Sequence, residues 1–216
     1  MTDTNNTTMD PRLTGLYVLT DQHLTPADKI NACVAQAIDG GCSVVQYRDK
    51  TSSPAQRLQQ AIELNNLCRN NGVLFIINDD ITLAKKAGAH GIHIGKHDAD
   101  LQQAREILGA DSVIGVSCYN DLQLAIDAEK QGANYVAFGR FFDSTIKPDA
   151  VKAKPELLTE ANQYISIPVA AIGGINLDNA TGLINAGADM LAVISSVFAQ
   201  KDIETAARNL TKLIQS

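Results

Sequence analysis

The sequence has no long basic run, no paired cysteines and no apolar stretch long enough to cross a bilayer, and each absence removes a class of function. Its 18 basic residues are outnumbered by 24 acidic ones, for a formal charge of −6, so the basic footprint that nucleic-acid binding needs is missing. An anionic ligand must therefore be caught by a few local groups. The four cysteines, Cys33, Cys42, Cys68 and Cys118, form no CxxC pair and no metal-ligand spacing. Each lies in an apolar segment, where a reduced thiol packs as a small hydrophobe. Residues 1–12 are polar and rich in Thr and Asn, without the charged-then-apolar order of a secretion signal, so a soluble, cytoplasmic protein is expected.

What is present is regular. With 45% hydrophobic residues in 216, the chain can bury one large core. From Gly15 onward, short β-branched runs alternate with longer segments of helical apolar spacing. Strands are expected at 16–20, 43–48, 73–78, 91–94, 113–117, 135–138, 169–172 and 190–194. Helices are expected at 26–39, 54–70, 101–108, 122–131, 155–161, 179–186 and 203–214. Gly40, Gly72, Gly88, Gly109, Gly132 and Gly187 stand where left-handed C-terminal caps would fall.

Eight such strands with helical segments between them fit an α/β fold of the (β/α)8 TIM-barrel type better than an open doubly wound sheet. The open sheet has a Gly-rich first turn, whereas this one reads Thr20-Asp21-Gln22-His23. The expected organisation is one catalytic barrel over residues 15–216 behind a flexible tail at 1–14. In such barrels the chemistry gathers at the C-terminal ends of the strands.

Those ends are polar here. Period-2 alternation puts Val44, Gln46 and Arg48 on one face of the second strand and Val45 and Tyr47 on the other, with Asp49 and Lys50 following. A Gln and an Arg facing inward are costly unless a ligand satisfies them, although solvated charges at a strand end are the plainer reading. The third strand closes with Asn78-Asp79-Asp80 and the fourth with His93-Ile94-Gly95-Lys96-His97-Asp98. Mg²⁺ prefers a few carboxylates completed by water and phosphate oxygens, so Asp79 and Asp98 make a candidate site, while Asp80 and Asp100 are placed to cap helices. His90 and His93, three apart, point to opposite faces and cannot chelate one ion. Ser117 ends the fifth strand with no His and Asp arrangement to make it a nucleophile. A long connection follows the sixth strand and carries Ser144, Ile146 and Lys147. The seventh and eighth strands run into Gly173-Gly174 and Ile194-Ser195, where loops of this fold often bind phosphate, although two glycines can also serve only a tight turn.

Taken together, these ends resemble the thiamine phosphate synthase family from Gly15 to the C-terminus. The matching motifs are Gln46-x-Arg48-x-Lys50, Asn78-Asp79-Asp80, His93-x-Gly95-x-x-Asp98, Ile114-Gly115-x-Ser117, Ser144-x-x-Lys147, Ala171-Ile172-Gly173-Gly174-Ile175 and Ile194-Ser195. The resemblance implies a transferase that joins 4-amino-5-hydroxymethyl-2-methylpyrimidine diphosphate to a thiazole phosphate, giving thiamine phosphate and pyrophosphate. It implies Mg²⁺ held by Asp79 and Asp98, and a catalytic set of Arg48, Lys50, Ser117 and Lys147. Gln46, Tyr47, Asp49 and Asn78 join that set around the pyrimidine diphosphate, and Ser144, Ile146, Gly174, Ile194 and Ser195 surround the thiazole phosphate. The expected partners are these small molecules, with no nucleic acid and no membrane, and a homo-oligomer is compatible with the sequence.

The sequence departs from the family pattern at Asp143, where an uncharged residue such as Pro is usual, and at Ile146, where a Thr normally precedes the Lys. Lys96 replaces a common Gln. Both loop changes are expected to weaken the hold on the second phosphate, Asp143 by repulsion and Ile146 by loss of a hydroxyl. Two other functions remain open: a thiazole tautomerase-like sibling, and a non-catalytic barrel that binds a phosphorylated metabolite and regulates a partner.

Overall fold

A computed structural model describes residues 10–95, 100–143 and 151–216. In chain order the elements are β1 (Gly15–Leu19), α1 (Ile30–Asp39), β2 (Val44–Tyr47), α2 (Pro54–Asn70), β3 (Leu74–Asn78), α3 (Ile81–Ala87), β4 (Gly91–Ile94), α4 (Leu101–Leu108), β5 (Val113–Tyr119) and α5 (Leu122–Lys130). They continue with β6 (Tyr135–Phe138), α6 (Glu156–Tyr164), β7 (Val169–Ile172), α7 (Ala180–Asn185), β8 (Met190–Val193), α8 (Ser195–Phe198) and α9 (Ile203–Ile214). All eight strands are parallel, and pairing of Gly15 with Met190 closes β1 onto β8, so the sheet is a complete barrel. Among the described residues no helix is long and apolar enough to cross a membrane.

Strand alternation sorts the side chains into two cores. Tyr17, Leu19, Val44, Leu74, Ile76, Tyr135 and Met190 fill the barrel, while Leu16, Val18, Val45, Phe75 and Ile77 pack outward under the helices. Both faces are buried, which is why the strands read as near-continuous apolar runs. Each fully buried Leu, Ile or Phe contributes about 1.5–3 kcal/mol relative to exposure.

The helices start where side chains satisfy their first N–H groups. Ser53 and Gln56 form a reciprocal capping box on α2, and Asp80 and Asp100 accept from the N–H groups of Leu83 and Gln102, as expected of caps. Two helices escaped the apolar periodicity because they are short, α3 with 7 residues and α8 with 4. The helix expected from residue 26 begins only at Ile30, since Lys29 (φ −122°) is not yet helical. Gly40 is also a correction: it is right-handed at φ −77° and Gly41 takes the positive φ instead. What position 40 needs is space, because a Cβ there would meet Ala207 Cβ at 2.5 Å.

The boundary between tail and barrel moves as well. Leu13 is buried in the inner core, and Arg12 pairs with Asp10 at 2.7 Å, so residues 10–14 pack with the barrel instead of forming a tail. Arg12 Nη1 lies 3.4 Å from His90 Nε2, while His90 Nδ1 accepts the N–H of Phe75 at 3.0 Å. Burial first, then Arg12 and Arg69, push the His90 pKa down from 6.5 to about 4. A depressed value means that the unfolded chain binds the proton more readily, so this stability is full above the unfolded pKa and is lost as pH falls from about 6.5 through about 4. Urea melts across that window should show a falling midpoint, and His90→Gln should flatten that part of the profile.

Candidate active site at the C-terminal rim

A cavity opens at the C-terminal ends of the strands, and its floor is a chain of buried hydrogen bonds. Gln46 Nε2 donates to the Tyr17 hydroxyl at 2.6 Å, Tyr17 and Tyr135 hydroxyls are 2.8 Å apart, His93 Nδ1 is 2.9 Å from Tyr135, and His93 Nε2 is 2.8 Å from Ser117 Oγ. Five strands are thereby tied together across the barrel. The Tyr135 ring fits because position 115 is Gly: a Cβ there would come within 2.0 Å of the ring. Burial pushes both tyrosine hydroxyls well above their ordinary pKa, so each remains a phenol with one proton to give.

The end of β2 is aimed by β1. Thr20 Oγ1 accepts the Arg48 N–H at 2.9 Å, and the Arg48 side chain lines the cavity with Gln46. Tyr47 does not line it. Its side chain is on the outward face of the strand and its hydroxyl donates to Gln60 Oε1 at 2.6 Å. Asp49 is likewise a correction, because its carboxylate accepts the N–H groups of Thr51 and Ser52 at 2.7 and 3.0 Å. Burial opposes ionisation of Asp49, but those hydrogen bonds outweigh it and bring the pKa down to about 2. Its observed role is to shape the turn that carries Lys50, whose Nζ lies 3.6 Å from Asp79 Oδ2.

Asp79 sits just beyond β3 in the left-handed region, at φ 62°, a conformation that Asp tolerates better than most side chains. Its N–H donates to His93 O at 2.9 Å and its Oδ2 accepts from Asn78 Nδ2 at 2.5 Å. The carboxylate is thus fixed at the rim beside the cavity-lining Asn78. Oxygen donors of this kind suit a hard cation such as Mg²⁺. Asp98, the expected second ligand, lies outside the described residues, and among those described no group of three or more His, Cys, Asp or Glu side chains is placed to hold a metal.

On the other side, the chain after β6 runs beside the end of β7, with the N–H groups of Phe141 and Phe142 donating to Ile172 O and Gly173 O at 3.1 and 2.9 Å. Gly173 and Gly174 (φ 106° and 66°) permit this approach, since a Cβ at either would overlap Arg140 or Asp143. The glycine pair therefore docks the β6 loop as well as facing the cavity. Asp143, expected to repel phosphate, has its charge engaged: Lys152 lies 2.9 Å away and Arg140 3.4 Å away. Gly174, Ile194 and Ser195 all line the cavity, and α8 begins at Ser195, so its first N–H groups have no acceptor within the helix. Ser196 Oγ donates to Ile175 O and ties the two loops together. Ser144, Ile146 and Lys147 lie outside the described residues.

The structure thus brings Gln46, Arg48, Asn78, Ser117, Gly174, Ile194 and Ser195 to one cavity. Sequence reasoning placed His93 at a strand end without a role at the ligand, and it missed Tyr17, Tyr135, Tyr119 and Arg140. Tyr119 lay beyond the strand end expected at 117, because β5 runs past Ser117 through a register shift and Tyr119 takes φ 56°. The hydroxyl pair of Tyr17 and Tyr135 had no local signal, because its members are 118 residues apart.

Comparison with known proteins points one way. The chain matches the family described as thiamine monophosphate synthase over residues 16–197. It is 47% identical over 204 residues to a thiamine-phosphate synthase of Thioalkalivibrio sulfidiphilus, covering 94% of this chain and 97% of the relative. It is 49% identical over 200 residues to that of Thiobacillus denitrificans, covering 92% and 94%. A solved thiamine phosphate pyrophosphorylase from Pyrococcus furiosus superposes with a TM-score of 0.87 at 34% identity, covering 94% of this chain and 96% of that one.

Proposed function

The chain belongs to the thiamine monophosphate synthase family, enzymes that form thiamine phosphate, and we propose that its rim divides that reaction between two halves. The half at β2 to β5 takes the pyrimidine diphosphate, with Arg48, Lys50 and Lys147 on the diphosphate and Gln46, Asn78 and Ser117 around the remainder. The half at β6 to β8 takes the thiazole phosphate, with Ser144, Gly174, Ile194 and Ser195. The observation that carries this reading is the convergence of Gln46, Arg48, Asn78 and Ser117 with Gly174 and Ser195 on one cavity.

Asp79 and Asp98 would hold Mg²⁺, which when bound spreads the charge of the departing diphosphate. Arg48 and Lys50 do the same from the protein side. The methylene C–O bond breaks with its electron pair leaving on the diphosphate oxygen. The pyrimidine-methyl cation, stabilised by the ring amino group, is then captured by the lone pair of the thiazole nitrogen. No protein nucleophile is required. Cys118, next to Ser117 in the chain, packs outward under the helices, and burial, then Asp121, push its thiol pKa up to about 12.

Mixing the two substrates with enzyme should release thiamine phosphate and pyrophosphate in equal amounts, and chelation of Mg²⁺ should stop it. Binding of both substrates without turnover would instead favour a regulator, and turnover of a thiazole alone without metal would favour the tautomerase. Within the second half, Ile146→Thr restores the hydroxyl that the family pattern places there. It should lower KM for the thiazole phosphate by roughly tenfold or more, the effect of one hydrogen bond to a charged group. An unchanged KM would remove Ile146 from the account.

A further inference from the structure

We infer that the buried chain Gln46–Tyr17–Tyr135–His93–Ser117 has one direction, which places the imidazole proton of His93 on Nε2 and leaves the Ser117 hydroxyl proton free to donate into the cavity. His93, Tyr135 and Tyr17 are then positioning residues that act through Ser117. The inference rests on the proposed place of Ser117 at the pyrimidine diphosphate.

The direction follows from counting protons. Tyr17 and Tyr135 are 1% and 0% exposed, so each hydroxyl must find its acceptor inside the barrel. Tyr17 accepts from Gln46 Nε2 at 2.6 Å, an amide nitrogen that can only donate. The single proton of Tyr17 therefore goes to Tyr135, 2.8 Å away. Tyr135, having accepted, gives its own proton to His93 Nδ1 at 2.9 Å. An imidazole that accepts at Nδ1 carries its proton on Nε2, and that proton is directed at Ser117 Oγ, 2.8 Å away. Ser117 has then used a lone pair and kept its O–H.

The opposite direction is also self-consistent only if Gln46 turns its amide over and presents its oxygen to Tyr17. Tyr17 would then donate to Gln46, Tyr135 to Tyr17, and His93 Nδ1 to Tyr135. Nε2 would be the acceptor, and Ser117 would spend its proton on His93. A Ser117 of that kind offers only lone pairs to the cavity, and the oxygens of an ionised diphosphate accept hydrogen bonds but cannot donate them. The chain as built prepares a donor for an acceptor-only ligand, with the rings held by contact of Tyr135 with both Tyr17 and His93 at 6.0 and 5.5 Å between centroids.

Histidine-labelled enzyme without ligand tests the direction. The chain has four histidines, so His93→Gln identifies the His93 resonances by their disappearance. A long-range proton–nitrogen correlation spectrum should show Nε2 protonated and Nδ1 as the unprotonated, acceptor-type nitrogen. A proton on Nδ1, alone or together with one on Nε2, would overturn the inference. Kinetics supply the second arm. Tyr135→Phe removes the donor to Nδ1 and should lower kcat by roughly ten- to a hundredfold, the effect of one misdirected hydrogen bond to a charged group. Added to Ser117→Ala it should cost no more than about a further factor of two, because both changes break one chain. Multiplying losses in the double variant would overturn the route through Ser117. Undiminished turnover of Ser117→Ala alone would overturn the substrate contact itself, with the spectrum still deciding the direction of the chain.

Discussion

Asp79→Asn should lower thiamine phosphate formation at saturating substrates by roughly a thousandfold or more. A bound metal contributes several kcal/mol of charge stabilisation when a diphosphate leaves, and each 1.4 kcal/mol or so is a factor of ten in rate. Removing one formal charge from its ligand set forfeits much of that. The fold should survive, because Asn tolerates the left-handed backbone that Asp79 adopts at φ 62° as well as Asp does, and the side chain is at the rim. Steady-state rates with a thermal melt as control make the comparison. The neighbour supplies the contrast: Asp80→Ala removes the cap of α3 and the 3.2 Å pair with Arg57, costing about 1 kcal/mol of stability while turnover per folded molecule holds. An Asp79→Asn enzyme that keeps more than about a tenth of its rate would contradict the metal role, since that is less than 1.4 kcal/mol.

The second large effect falls on stability. Gly91 opens β4 directly opposite Val113 of β5, and a Cβ there would sit 1.8 Å from the Val113 carbonyl oxygen. Backbone in the closed sheet cannot yield as a side chain end can, so Gly91→Ala must part β4 from β5 locally. Overpacking of this severity is expected to cost about 3 kcal/mol or more, lowering Tm by roughly 6–12 °C for a chain of this size. Gly91 lies at the end of β4 away from the rim. The surviving folded molecules should therefore keep the wild-type KM for both substrates, and a Tm within about 2 °C of wild type would show that the sheet accommodates the methyl.

Much of the fold was legible because a parallel barrel repeats one local pattern eight times. Apolar runs such as 74–77 are hydrophobic on both faces and bounded by turn residues, and caps such as Asp80 and Asp100 are local in sequence. Rim candidates were legible where a polar residue falls at or near the end of an apolar run, as Gln46, Arg48, Asn78 and Ser117 do. Alternation also separated Gln46 from Tyr47, and the structure confirms those two faces by burying Tyr47 against Gln60. Tyr47 and Asp49 joined the ligand-binding set through the resemblance alone, whereas the structure turns the Tyr47 side chain outward and engages the Asp49 carboxylate in its own turn. The rest was hidden because it depends on distance in space alone. Tyr17 and Tyr135 look like ordinary strand residues until the barrel closes, and the neutralisation of Asp143 requires Lys152, nine residues on, to return beside it.

The division of the rim is tested most directly by diffraction from crystals grown with Mn²⁺ in place of Mg²⁺, together with pyrophosphate and a thiazole phosphate. The account predicts an anomalous peak bonded to an Asp79 carboxylate oxygen and to diphosphate oxygens, with Arg48 on the same diphosphate. The thiazole phosphate should lie apart from it, against Gly174 and Ser195. A metal peak remote from Asp79, or a diphosphate seated on Gly174 and Ser195, would contradict it.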